Sequence, residues 1–263
     1  MSSVIQVSQV YYPESDGKPM GETDEHRDEM VRHIQTLQNY YQGQKVYVSG
    51  DLLVYYEQGN PRKFVVPDAF VVKGVSPKRR RTYKIWVEGK APDVVIETTS
   101  RKTRRKDTVD KPDLYAKLGV KEYFLFDPDQ EYLDPPLQGY RRVSDVFVAI
   151  VADSDGRLAS HELNLSLGVE DARVRFCRLD TGERLLTPAE RAVAEAERAV
   201  AEAERAAAEA KRAVAEAKRA AAEAERATAE AERADREAQT RLALEAEVAR
   251  LRAELERRSS DAD

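Results

Sequence analysis

This sequence has one cysteine, no long apolar run and, beyond Thr187, no aromatic residue and no glycine. Each shortage excludes something. Cys177 has no second cysteine to bond with, and its Arg-Phe-Cys-Arg setting has no neighbouring Cys or clustered His to make a metal site. It reads as a small residue on a strand. No run of ~18 apolar residues occurs, so no membrane-spanning helix is expected. The Met-Ser-Ser-Val start lacks a basic region followed by an apolar core. A soluble, cytoplasmic protein with no membrane partner follows as the expectation.

The third shortage divides the chain. From Met1 to Leu186 the composition is mixed, with 28 Lys and Arg against 29 Asp and Glu; from Thr187 onward it is almost entirely Ala, Glu, Arg and Lys, 15 against 19. The first part is long enough to bury its own core without disulfide or metal staples. We therefore expect one globular domain over 1–186, a helix over 187–258 and a disordered tail over 259–263.

Along the first part, apolar residues at Met30, Ile34, Leu37 and Tyr41 keep helical spacing, with Thr23 or Asp24 as N-cap and acids in the first turn. His26, Glu29 and His33 share a face of that helix. Two His and a Glu without a third strong ligand nearby read more simply as a polar face than as a metal site. Lys45–Tyr56 alternates and is rich in β-branched and aromatic residues, a strand broken at Ser49-Gly50. Phe64–Val72 is the next strand, and Pro67 marks a bulge or an edge within it because it cannot donate to the ladder.

Asp93–Thr99 is a buried strand that nonetheless carries Glu97. A carboxylate ending an apolar run is costly to bury unless a cation meets it, which makes Glu97 the most informative residue in the chain. Asp107–Leu118 then reads as a helix with Asp107 as N-cap and Gly119 as terminator, placing Lys111 and Tyr115 on one face. Glu122–Asp127 is a strand, and alternating β segments follow around Tyr140, Val146–Ile150, Leu163–Leu167 and Arg173–Leu179. Together these elements describe an α/β or α+β domain with a central mixed sheet.

Asp68 and Glu97 come from two strands that can be sheet neighbours, and Lys111 comes from the helix after the second. Metal-dependent phosphodiester cleavage needs that kind of set: oxygen ligands to hold Mg²⁺ or Mn²⁺ against the phosphate, and a cation to steady the attacking water and the developing charge. Arg79, Arg80, Arg81, Lys84, Arg101, Lys102, Arg104, Arg105 and Lys106 would flank the acidic strands as a local basic surface. A solvated charge run is the plain alternative. The near-neutral total argues against tight nonspecific binding to DNA.

Pro67-Asp68, the spacing to Glu97-Thr-Thr-Ser100, the Arg101–Asp107 run, Lys111 with Tyr115, and Gly119–Asp127 resemble the Uma-type family of bacterial endonucleases. That family is a branch of the PD-(D/E)XK restriction-endonuclease-like superfamily. The resemblance covers about Glu22 to Ile150. It implies a restriction-endonuclease-like fold, a mixed sheet flanked by helices, and divalent-metal-dependent cleavage of DNA. Residue by residue, Asp68 and Glu97 match the two acidic metal ligands. Where the superfamily expects lysine two residues after the second acid, this chain has Thr99; Lys111 is the migrated lysine the resemblance implies, with Lys102 a weaker substitute. Glu25 or Glu29 would add a carboxylate, and Arg101, Lys102, Arg104 and Arg105 would contact DNA. The competing function is a catalytically inactive nucleic-acid-binding or scaffold protein that keeps the fold.

The last part is of another kind. Thr187-Pro188-Ala-Glu190 supplies an N-cap, a first-turn proline and an acid. A seven-residue unit, Ala-Glu-Arg-Ala-Val/Ala-Ala-Glu, recurs seven times between Ala189 and Glu237, so propensity alone dictates a helix. At 1.5 Å per residue it would extend on the order of 105 Å. Val193, Ala196, Val200, Ala203, Ala207, Ala210 and Val214 keep the 4-3 spacing of a weak coiled-coil seam. Leu244, Val248, Leu251 and Leu255 form a stronger seam in a shifted phase. A homodimer through this helix is expected, and a lone solvated helix is the alternative.

Overall fold

The structure is a computed structural model and describes residues 10–17, 23–100 and 103–260. The chain divides into two compact units, residues 1–192 and 193–263. In the first, α1 (Asp24–Tyr40) is followed by β1 (Val46–Ser49), β2 (Val54–Tyr55), β3 (Phe64–Val65), β4 (Ala69–Lys73) and β5 (Tyr83–Lys84). A single turn, α2 (Ile85–Glu88), precedes β6 (Val94–Thr98). A π-helical turn over Lys106–Asp110 runs into α3 (Lys111–Leu118), and β7 (Glu122–Phe126), β8 (Leu137–Val143) and β9 (Val146–Ala149) follow. Then come β10 (Leu158–Ser160), β11 (Leu165–Glu170), β12 (Arg173–Arg178) and α4 (Pro188–Ser260). This is a mixed α+β architecture with a long C-terminal helix.

Among the described residues the main sheet has the order β1-β4-β6-β7-β8-β9, and β10-β11-β12 and β3-β2-β5 form two three-stranded sheets. Within the main sheet β6 and β7 pair in parallel, and every other neighbour is antiparallel. A parallel pair needs a crossover of a dozen or more residues, and that crossover carries α3.

Side chains alternate across the sheet with period two. Val94 and Ile96 of β6 join Phe124 and Phe126 of β7, Leu37 of α1 and Leu165 and Phe176 of the small sheet in one core. Val95, Tyr123 and Leu125 face the other way, with Tyr115 of α3 and Phe70 and Tyr83. Glu97 has the parity of Val95, so the pleat aims it at the α3 side.

Several local expectations are refined. The strand read over Phe64–Val72 is two strands in different sheets, since Pro67 cannot extend the ladder and Asp68 does not join it. The helix read from Asp107 begins earlier, with Arg104 and Arg105 already helical, so Asp107 is no N-cap and its side chain is buried. Thr23 does cap α1, accepting the His26 N–H at 3.2 Å, and Gly119 ends α3 in the left-handed region at φ 89°. Cys177 is buried on β12. The three residues after Ser260 lie outside the described ones. No helix among the described residues is long and apolar enough to cross a membrane.

Candidate active site

Asp68 sits one residue before β4, and the β4–β6 register pairs Ala69 with Ile96. Asp68 therefore meets Glu97 across the sheet. The two acids fasten each other's strands: the Thr98 N–H donates to Asp68 Oδ2 at 2.7 Å, and the Asp68 N–H donates to Glu97 Oε2 at 3.3 Å. Gly50 lets the β1–β2 connection pass beside Asp68. A Cβ built there would lie 1.9 Å from the Asp68 carbonyl oxygen, closer than atoms can pack.

From α3, Lys111 reaches into the same space. Its Nζ lies 2.9 Å from Glu97 Oε2 and 2.8 Å from Asp107 Oδ1, one ammonium between two carboxylates. Asp107 and Lys111 are four apart, neighbours on one helical face. The π-helical turn carries Asp107 inward, and its main-chain oxygen accepts the Tyr123 hydroxyl at 2.7 Å. π-Helical turns of this kind recur at functional sites. Tyr115, one turn beyond Lys111, donates its hydroxyl to Glu97 Oε1 at 2.7 Å. On the other side, His26 Nε2 of α1 lies 3.3 Å from Asp68 Oδ2.

The electrostatics follow from burial. Glu97 is wholly inaccessible, and burial pushes its carboxyl up to about 8; Lys111 pulls against this, while Asp68 and Asp107 add to it. Burial also works against the Lys111 charge, but Glu97, Asp107 and Asp68 outweigh it and hold the ammonium protonated well above its ordinary range. Lys111 thus stays charged, and Glu97 is the acid that burial holds nearest to neutral. Tyr115 and Tyr123 are raised by burial and remain neutral donors. The Asp68 and Lys111 side chains are 19% and 21% exposed, so the cluster opens to solvent at these two groups.

Asp68, Glu97, Lys111 and Tyr115, named from sequence, are thus assembled in one place. Glu29 does other work in the structure: its Oε1 accepts from Arg32 at 3.0 Å and its Oε2 from the Val174 N–H at 3.3 Å, with His33 Nε2 at 3.5 Å, which fastens α1 to β12. Thr99 is buried and donates its N–H to the Phe126 oxygen. Arg101 and Lys102 lie outside the described residues. Arg104 and Arg105 are exposed, Arg104 lying 5.6 Å from the Tyr132 ring. Arg80 leaves the basic surface, since its guanidinium is bound to both Glu88 oxygens at 2.8 Å and lies 4.1 Å over the Tyr47 ring. In the sequence only the four-residue spacing marks Asp107 as a partner of Lys111, and His26 stands with the polar face residues of α1 although it meets Asp68 in the structure.

Among the described residues no three His, Cys, Asp or Glu side chains converge on one point. Asp68 and Glu97 form a two-carboxylate set of hard oxygen donors. No curated protein matches the chain. A crystal structure titled as a putative nuclease belonging to DUF820 from Anabaena variabilis is 16% identical, covering 56% of this chain and 76% of that one with a TM-score of 0.41. Residues 13–170, more than half of the sequence, match the family Uma2, described as "Putative restriction endonuclease", and the chain belongs to that family.

Proposed function

We propose that this chain is a divalent-metal-dependent endonuclease that hydrolyses phosphodiester bonds in DNA, with Asp68, Glu97 and Lys111 as its catalytic residues. The observation that carries the reading is Glu97: a wholly buried carboxylate at a strand end, with an ammonium at 2.9 Å and a second, solvent-reaching acid fastened beside it. Burying such a group is costly and has to be justified by use or by structure.

The donor set fits a small hard cation. Mg²⁺ keeps several waters and is held through one or two carboxylates plus substrate phosphate oxygens, and Asp68 with Glu97 would hold it here. Mn²⁺ accepts the same oxygen donors. The chemistry a bound divalent ion supplies is Lewis-acid polarisation of a phosphoryl oxygen and neutralisation of developing charge. Asp68 Oδ2 is engaged by Thr98 and faces His26, which leaves Oδ1 uncommitted among the described residues. An ammonium has three N–H donors; Lys111 directs two at Glu97 and Asp107 and keeps the third for the attacking water or a phosphate oxygen. Because Lys111 stays protonated, it orients and stabilises and does not act as a base. Tyr115 fixes the Glu97 carboxyl from behind. Arg104 and Arg105, with Arg101 and Lys102, would meet the DNA backbone.

The nuclease unit in this reading is residues 1–186, in a cytoplasmic protein whose helix over 187–258 mediates assembly. Plasmid nicking in Mg²⁺ or Mn²⁺ tests it. Wild-type protein should convert supercoiled DNA to open circles, and chelation should stop it. Glu97→Gln, which keeps the shape and removes the charge, should lower the rate by on the order of 100-fold or more. An unchanged rate in that variant would sink the assignment and favour the non-catalytic scaffold.

A further inference from the structure

The long helix α4 carries an exposed apolar line and, beside it, a line of charges of which only Glu232 has an ion-pair partner among the described residues. Val193, Val200, Val214, Leu244, Val248 and Leu251 are between 48% and 62% exposed. Along one flank of that seam, at seven-residue steps, stand Glu197, Glu204, Lys211, Lys218, Glu225 and Glu232: two acids, two lysines, two acids. The opposite flank is alanine, from Ala199 through Ala206 and Ala213 to Ala220 and Ala227. Among the described residues, the ion pairs within the helix join Arg233 to Glu237, Arg236 to Glu232, Arg241 to Glu245 and Arg250 to Glu247. None of them engages the first five flank charges.

The flank pattern distinguishes orientations. In a parallel pair the two flanks of the seam meet crosswise, so each charge would face alanine and gain nothing. In an antiparallel pair like flanks meet, and the charge order becomes meaningful. Centred between Ala221 and Ala222, an antiparallel self-pair sets Lys211 against Glu232 of the second copy and Lys218 against its Glu225. Two-fold symmetry repeats each contact, as an isologous interface must, giving four opposite-charge pairs. Two heptads away, the register would set Glu197 on Glu232, Glu204 on Glu225 and Lys211 on Lys218, all repulsive.

The apolar line selects the same centre independently. Val214 falls on Ala231 of the second copy, Val200 on Leu244, Ala196 on Val248 and Val193 on Leu251, all within one residue of that centre. The phase slip between Glu237 and Leu244 therefore brings Leu244, Val248 and Leu251 of one end onto Val200, Ala196 and Val193 of the other. A second register pairs Glu197 with Lys218 and Glu204 with Lys211, but it leaves Leu244, Val248 and Leu251 without a helical partner.

We propose that α4 is an antiparallel docking surface for a second copy of this chain, with Lys211–Glu232 and Lys218–Glu225 setting its register. The two Pro188 ends then lie at opposite ends of the paired helices, on the order of 100 Å apart. This holds whatever reaction the first unit catalyses.

The test uses the full chain and two charge-swapped forms, Lys211→Glu/Lys218→Glu and Glu225→Lys/Glu232→Lys, in sedimentation equilibrium. Wild type should sediment as a dimer. Each swapped form alone meets four like-charge contacts and should dimerise at least about tenfold more weakly. Mixed one to one, the two forms regain all four opposite-charge pairs and should recover the dimer as a heterodimer. That recovery separates lost pairing from lost helix, which circular dichroism reads directly. A monomeric wild type, swapped forms that dimerise as wild type does, or a mixture that fails to recover would each overturn the proposal.

Discussion

Two buried glutamates show how neighbours decide what an acid is for. Glu122, at the start of β7, is saturated with donors: Arg141 at 3.1 Å, the His161 and Glu162 N–H groups and the Ser160 hydroxyl. It fastens β7 to β8 and to the segment after β10. Glu97 has a tyrosine, an ammonium and one long N–H contact, and burial displaces its carboxyl upward. In the sequence each is an acid within a strand. Asp107 is the residue whose reading changes most, from helix cap to second clamp on Lys111. Asp107→Asn should lose the ion pair to Lys111 and with it about 1–3 kcal/mol of stability, measurable as a lower denaturant midpoint. It should also slow nicking by on the order of tenfold or more, since Lys111 is then drawn to Glu97 alone. An unaltered rate with reduced stability would make Asp107 a purely structural partner.

At the scale of elements, the site depends on where backbones touch. The β1–β2 connection passes so near β4 that only glycine fits at position 50: a Cβ there would meet the Asp68 carbonyl at 1.9 Å and Ile34 Cδ1 at 2.7 Å. The first neighbour is backbone and cannot turn aside. Gly50→Ala should cost about 1–3 kcal/mol, the range for forced overpacking. Because the displaced atom belongs to Asp68, nicking should fall by more than the loss of folded protein explains. Folded fraction and rate measured on the same sample separate the two. The crossover between β6 and β7 is the other decisive element. It brings the N-terminal end of α3, with Lys111, to the carboxyl end of β6, the edge where open α/β sheets gather ligands. The π-helical turn before it rotates Asp107 inward while Arg104 and Arg105 stay exposed.

Across the whole first unit, stability has a charged hub at the opposite end of β6 from Glu97. Asp93 accepts the Lys73 N–H at 2.7 Å and pairs with Lys90 at 2.7 Å and Lys121 at 3.0 Å, and Glu162 shares Lys73 and Lys121, so β4, β6, β7 and the segment after β10 are tied together. Burial pushes the Asp93 carboxyl up, but Lys90, the Lys73 N–H and Lys121 outweigh it and hold it below its ordinary value. A carboxyl lowered on folding contributes stability that is present above the unfolded value, about 3.9, and is lost as pH falls through the folded value. Wild type should therefore exceed Asp93→Asn in stability at pH 7 by about 1.5–3 kcal/mol, and the gap should close below about pH 4. Urea unfolding at several pH values reads this, and a gap independent of pH would remove Asp93 as its source.

The sequence by itself determined the α1, β6, α3, β7 succession and the long helix, because hydrophobic period, caps and propensity are local properties of neighbouring residues. It also singled out Glu97, since an acid ending an apolar run announces itself, and the family resemblance added Asp68 and Lys111. Only the tertiary structure decided that Glu29 fastens α1 to β12, that Arg80 belongs to Glu88 and that Asp107 clamps Lys111. Those outcomes depend on strand order, on the side of the sheet each side chain faces and on a half-turn of helical phase. All three are set by contacts between residues far apart in the chain, where no local pattern reaches.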